Sequence, residues 1–242
     1  MVIGNRLVGG ISAVGICNRI LARRNIKVGD VILMTEGAGG GTITTTAIYS
    51  GNHPVVNETL NIKFLEATEK ILNSNYIDDI HAMCDVTNGG LRGDLYEINY
   101  EANCGVKIYE QEVRKLVNPN VMKLLETVNV DYLGVSLDAL LIYCPKEVSK
   151  NIIANLGEIN IKCAEIGQVD DSNQVKIVYA ENQVETILPR FRESAYTKIK
   201  QEIGEELPEL KEEMESRIED AALRAIEKRN KIIEFIKNTT TS

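Results

Sequence analysis

The segment Val28-Gly29-Asp30-Val31-Ile32-Leu33-Met34-Thr35-Glu36-Gly37-Ala38-Gly39-Gly40-Gly41-Thr42 carries a turn, an apolar run and a cluster of glycines in immediate succession. The apolar residues Val31–Met34 do not alternate with polar ones, which predicts a strand buried on both faces. Gly37, Gly39, Gly40 and Gly41 follow it, and the Thr-rich stretch from Thr42 through Tyr49 can turn into a helix. Glycines at such a junction let backbone N–H groups converge on one concavity, and a helix starting there favours an anion at its N-terminus. The run fits neither the P-loop spacing nor the dinucleotide fingerprint, because no Lys-Ser/Thr pair follows and Gly37-x-Gly39-x-x ends in Thr42. Taken locally, it is either a phosphate-binding loop or a tight structural turn.

The same order recurs downstream. A strand over 80–86 runs into Thr87-Asn88-Gly89-Gly90 and then a helix over 91–103 with Leu91, Leu95, Ile98 and Ala102 on one face. At this junction Asp85 could bind a metal, take a proton or orient an amine. Gly89 and Gly90 could bring backbone close to a phosphate, and Thr87 or Asn88 could simply cap the helix. Elsewhere, periodicity predicts strands over 7–17, 106–109, 139–144, 163–169 and 175–179, and helices over 57–73, 120–129 and 147–156. The helix over 57–73 is expected to bury Leu60, Phe64, Leu65, Thr68, Ile71 and Leu72 and to be capped by Asn57. This alternation indicates an α/β layered domain built on a mixed sheet.

With 242 residues, 44% hydrophobic and 26% charged, the chain has the composition of a globular protein. A net charge of −8 argues against electrostatic wrapping of nucleic acid. No stretch approaches the roughly 18–20 apolar residues of a membrane span, so neither nucleic acid nor membrane is an expected partner. Five cysteines without a C-x-x-C pair read as reduced, mostly buried thiols of a cytoplasmic protein, with no metal site expected. His53 and His81 read as structural or exposed. From about residue 189 the pattern changes to long charged helical stretches. Leu207, Leu210, Met214, Ile218, Ala221, Ala222, Ala225, Ile232, Ile233 and Ile236 mark an apolar stripe there, which either packs on its own domain or contacts a partner.

Four segments in order resemble the carboxy-terminal domain of the aminoimidazole ribonucleotide synthetase superfamily, whose members include the hydrogenase-maturation dehydratase, selenophosphate synthetase and thiamine-monophosphate kinase. They are Val28 to Gly37, Asp85-Val-Thr-Asn-Gly-Gly-Leu91, Gly134-Val-Ser-Leu-Asp-Ala-Leu-Leu-Ile142 and Glu165-Ile-Gly-Gln-Val169. The resemblance spans roughly residues 8–180. It implies an ATP-dependent enzyme in which Gly37 to Thr42 and Asp85 to Gly90 line a cleft, with Asp85 in polar contact with substrate or metal. It also implies ATP and Mg²⁺ as cofactors of the complete enzyme and a small phosphorylated ligand.

On this view residues 1–25 are a strand and connection at the end of an amino-terminal domain, 26–188 the synthetase-like domain and 189–242 a helical extension. Among its departures from the superfamily, few acidic residues precede the first glycine loop, and Asp138 replaces the glycine of the third segment. Two functions stay open. One is the substrate- or phosphate-binding half of an ATP-dependent synthetase or phosphotransferase, completed by a homodimer or by a separate amino-terminal ATP-binding domain. The other is a non-enzymatic assembly module that associates through its helical tail.

Overall fold

The computed structural model describes residues 12, 14–87, 89–180 and 183–187, and in the tail residues 220, 223–224, 226–234 and 237. The chain falls into two units, Met1–Lys198 and Ile199–Ser242. In the first, seven strands form one sheet: β1 (Val31–Thr35), β2 (Ala82–Asp85), β3 (Gly105–Tyr109), β4 (Leu140–Cys144), β5 (Cys163–Asp170), β6 (Val175–Val178) and β7 (Val184–Thr186). Their order is β2-β4-β1-β5-β3-β6-β7. Only the β3–β6 pair is parallel, which makes the sheet mixed, as expected.

All five residues of β1 are buried, because the strand sits between β4 and β5 with helices on both sides. One face of the sheet carries α3 (Lys63–Leu72) and α7 (Lys146–Gly157), joined by a cluster that includes Val31, Leu33, Ile71, Ile142, Ile152 and Leu156. On the opposite side α4 (Gly90–Ala102) meets β3 and β6, and α5 (Glu110–Leu116) meets β1 and β5. Leu91, Leu95 and Ile98 of α4 are fully buried, as their spacing predicts. The β1–β5 register shifts at Ile32/Leu33, opposite Ile166-Gly167. Gly167 there leaves room for β3 to approach: a Cβ would fall 2.9 Å from the Ile108 Cα.

Three expectations are corrected. The helix over 57–73 is two helices, α2 (His53–Thr59) and α3. Asn61 breaks it, since its amide donates to the Glu58 carbonyl while its Oδ1 accepts from the Lys63 N–H, a local competitor with the helical ladder. The phase shifts as a result, so Ala67 and Ile71 are buried while Leu60, Leu65 and Leu72 face outward. The strand over 7–17 is not formed at Ser12 or Val14–Cys17; its other residues lie outside the described ones. No described strand pairs with Val14–Cys17, and Val14 and Ile16 are fully exposed. The free edge of β2 is instead met by Leu21, whose carbonyl accepts from Met83 at 3.2 Å. Finally, the cysteines are less buried than expected: Cys104 and Cys144 are buried, Cys84 and Cys163 intermediate, and Cys17 exposed, all of them free thiols.

Two short elements had no sequence expectation, α5 and β7. α6 (Pro119–Thr127) is capped by Asn118, which accepts from the Asn120 and Val121 N–H groups, with Pro119 in its first turn. Among the described residues no helix is long and apolar enough to cross a membrane. In the second unit the described residues are helical; Ile232 and Ile233 of the expected stripe are exposed, as are Leu223 and Ile226 outside it.

Candidate functional site

β4 pairs antiparallel with both β1 and β2. The segment entering β4 therefore lies beside the loops leaving β1 and β2, and the first three quoted segments meet at one end of the sheet. Gly37 is held between other backbones: its N–H donates to Leu116, its carbonyl accepts from Asn118, and a Cβ would fall 2.5 Å from the Leu137 carbonyl oxygen. Gly39 takes φ 79°, the left-handed region that suits glycine, and donates to the Leu137 carbonyl at 2.8 Å. Gly40 is the N-cap of α1 (Gly41–Tyr49), and its carbonyl accepts both the N–H and the hydroxyl of Thr44. On the other side, Val86 donates to Ala139 at 2.8 Å and accepts from the Ser136 hydroxyl and the Leu137 N–H. Gly90, at φ 61°, lies against the backbone of Leu133 to Val135. Residues 133–139 thus touch both glycine loops.

The expected site residues divide into two groups. Gly37, Gly39 and Gly90 are buried and engaged by backbone, so they shape the loops rather than face a ligand. Gly41, Thr87, Gly89 and Asp85 are exposed, Gly40 and Thr42 intermediate; Asn88 lies outside the described residues. Neither α1 nor α4 has a side-chain cap, and Gly89 at φ 90° is the N-cap of α4, so Thr87 does not cap it. The amides of Gly41, Thr42 and Ile43 donate to no described group. Two uncapped helix N-termini at one end of a sheet are favourable to an anion.

The charge at this end is mixed. Asp85 ends β2, and Asp138 sits against Gly40. Glu36 is occupied, accepting from Lys63 at 2.8 Å and from the Lys162 N–H. Asp138, bonded to Ser136, also stands at this end of the sheet, beside the residues expected from sequence. The available signal was the replacement of a glycine at 138, because Asp is one of the few residues that tolerates the left-handed backbone found there, φ 48°. Among the described residues no group of three His, Cys, Asp or Glu could hold a metal ion. His81, which directly precedes β2 at the opposite end of the sheet, is fixed by Asp30 at 2.9 Å and Lys27 at 3.0 Å.

Beside Asp85, a buried polar cluster joins the strand to α4. Asp94 is 3% exposed and pairs with Arg23 at 2.7 Å, while its Oδ2 has no partner among the described residues. Burial pushes its carboxyl up to about 7 against the pull of Arg23, with Glu97 and Asp85 adding to the rise. Burial likewise pushes the Cys84 thiol up to about 12, which disfavours a nucleophilic thiolate. Because folded Asp94 binds its proton more tightly than an unfolded aspartate, its contribution is full below pH about 4 and is lost as pH rises through about 7. A rise of about three units corresponds to at most about 4 kcal/mol. The melting midpoint of Asp94→Asn should therefore gain on that of the native protein between pH 5 and pH 8. A pH-independent offset would show that Arg23 keeps Asp94 ionised throughout.

Comparisons with known proteins agree with this architecture. The model of the family described as AIR synthase related protein, C-terminal domain, matches residues 27–180. An uncharacterized protein of Methanocaldococcus jannaschii is 45% identical over 239 residues, covering 98% of this chain and 52% of its own length. A selenide, water dikinase of Pelobacter propionicus is 28% identical over 108 residues, covering 43% of this chain and 30% of that protein. The chain thus spans about half or less of the curated relatives it matches. Among solved structures, the hydrogenase maturation protein HypE of E. coli superposes with a TM-score of 0.57 at 20% identity, covering 75% of this chain and 56% of that one. A HypE in complex with ATP gives 0.55 at 21%, covering 74% and 55%. These similarities show the fold. Since the family model covers well over half of the sequence, including both glycine loops and the segment between them, the chain belongs to the AIR synthase related proteins through their C-terminal domain.

Proposed function

We propose that this chain is the phosphate-binding half of an ATP-dependent synthetase or phosphotransferase, with residues 26–188 as the synthetase-like domain. The observation that carries the reading is the pair of uncapped N-termini of α1 and α4, brought to one end of the sheet by glycine backbones in a member of this family. In this role the amides of Gly41, Thr42 and Ile43 bind phosphoryl oxygens. Gly40 and Gly89 keep the backbone open to them, and Asp85 makes the polar contact to substrate or metal. ATP, supplied with the remainder of the longer relatives or by a partner chain, would provide the phosphoryl group, and Mg²⁺ would neutralise its charge. The site fits phosphate through its free amides, but the described residues offer Mg²⁺ single carboxylates rather than a cage, so the ion is held jointly with phosphate. A cytoplasmic location fits this reading.

Thermal melting with Mg-ATP, ADP and phosphate tests it. A ligand at a hundredfold excess over Kd adds about 2.7 kcal/mol and raises the midpoint. Asp85 is exposed, so Asp85→Ala should keep the unliganded midpoint within about 2 °C and lose the ligand shift. No shift with any of the three would remove the reading, and an undiminished shift would remove Asp85 from the site. The exposed apolar side chains of the tail, Leu223 at 60% and Ile232 at 51%, favour a second reading, an assembly module. That reading requires concentration-dependent association in sedimentation, unchanged by nucleotide and lost on Ile232→Asp.

A further inference from the structure

We propose that the tail over residues 206–237 pairs with the tail of a second copy of this chain, the two helices running antiparallel so that the acidic half of each lies along the basic half of the other. The inference rests on the assembly reading above and deepens it by naming the partner and its direction. Residues 206–221 carry seven Asp or Glu and two Lys or Arg, whereas residues 222–237 carry two and five. Asp220 excepted, the acidic half lies outside the described residues, and its charge is read from the sequence. In the basic half the described residues are helical and all exposed, among them Leu223, Ile226, Ile232 and Ile233. An isolated helix is marginal in water and draws most of its stability from packing an apolar face, so these side chains call for a partner.

Three features select a second copy and the antiparallel direction. Charge is the first: a parallel pair would lay acidic half on acidic half, whereas reversing one helix sets opposite signs together along the whole length. Spacing is the second. The stripe reads alike from both ends, because Ile218 and Ala225, Leu210 and Ile233, and Leu207 and Ile236 stand at equal distances from the Ala221–Ala222 bond. A two-fold axis through that point lays each of these against its counterpart in the other copy, and the alanines let the helices approach closely there. Met214 is the exception, since its counterpart is Arg229. The third feature is continuity. No Gly or Pro falls between Glu209 and Lys237, so the pattern predicts one unbroken helix. The two halves of one such helix cannot fold onto each other, and a second copy supplies the complement.

Sedimentation of the full chain over a range of concentrations tests association, and cysteine cross-linking tests direction. The native chain should dimerise. Lys228→Glu with Lys231→Glu, which leaves both halves acidic, should weaken the dimer about tenfold or more. Both lysines are exposed, and a melting curve confirms that the double variant folds. A dimer unchanged or strengthened by it would overturn the antiparallel direction, because only a parallel pair gains from relieving repulsion between basic halves. For cross-linking, the exposed native thiol is removed as Cys17→Ser. In that background Leu210→Cys and Ile233→Cys should each form little disulfide dimer alone, and should join to each other when the two proteins are mixed and oxidised. Self-cross-linking of either one without the mixed product would overturn the inference and leave the assembly reading standing. A chain that stays monomeric at every concentration would overturn both.

Discussion

Gly90→Ala should destabilise the protein by about 2–5 kcal/mol and lower its melting midpoint by roughly 5–20 °C. Two costs add. The backbone at Gly90 has φ 61°, where an L-residue loses about 1–2 kcal/mol. The new methyl carbon would also fall 2.5 Å from both the Leu133 carbonyl oxygen and the Val135 nitrogen. These are main-chain atoms of the segment that feeds β4, so they cannot rotate aside, and relief requires a backbone shift of the kind that costs about 1–3 kcal/mol. Gly41→Ala is the matched control. Nothing lies within 4 Å of its Cβ position, and it begins α1 in open space, so its midpoint should stay within about 2 °C of the native value. Indistinguishable melting of the two variants would mean that the second loop does not pack on residues 133–135 as described.

The contrast between these glycines shows where sequence was informative and where it was not. Local order was plain: an unbroken apolar run in β1, glycines after β1 and β2, and a helical period in α4 each appear within a dozen residues. What the glycines are for was not plain. Gly37 and Gly90 are required by close approach to the Leu137 and Leu133 carbonyls, partners 100 and 43 residues away in the chain. Those partners are set by β4 inserting between β1 and β2, a non-local pairing that no window of sequence reports. The same pairing carries Asp138 to Gly40 and brings the two loops to one end of the sheet. The break at Asn61 failed for the opposite reason. There the decisive contacts are local, but an asparagine that bonds its neighbours' backbone looks the same in sequence as one that points to solvent. Val14–Cys17 show the limit of hydrophobicity alone, since an apolar stretch becomes a strand only where its backbone pairs with a neighbour.

Arg92, one residue past the segment that ends at Leu91, is the cation nearest the start of α4, and it is committed to protein partners. Its Nε donates to Asp131 at 2.7 Å, Nη1 to Glu185 at 3.3 Å and Nη2 to the Tyr179 hydroxyl at 3.4 Å. The guanidinium is nearly buried, and Asp131 also accepts from the Leu133 N–H ahead of β4. Arg92→Ala should therefore cost about 2–3 kcal/mol: Asp131 loses its ion pair and Glu185 one of its contacts, with the full buried-pair penalty reduced because each is about a third exposed. Arg92→Lys keeps the charge but cannot present a planar fork to three partners, so it should recover only part of that loss. Neither change removes a ligand contact if the phosphate sits on the α1 amides. At temperatures where both variants are folded, pyrophosphate binding in Mg²⁺ should stay within about threefold of native, a difference of about 0.7 kcal/mol. Loss of binding in Arg92→Lys with little loss of stability would reverse the assignment: Arg92 would then leave Asp131 to meet the ligand, and the phosphate would lie over α4 rather than α1.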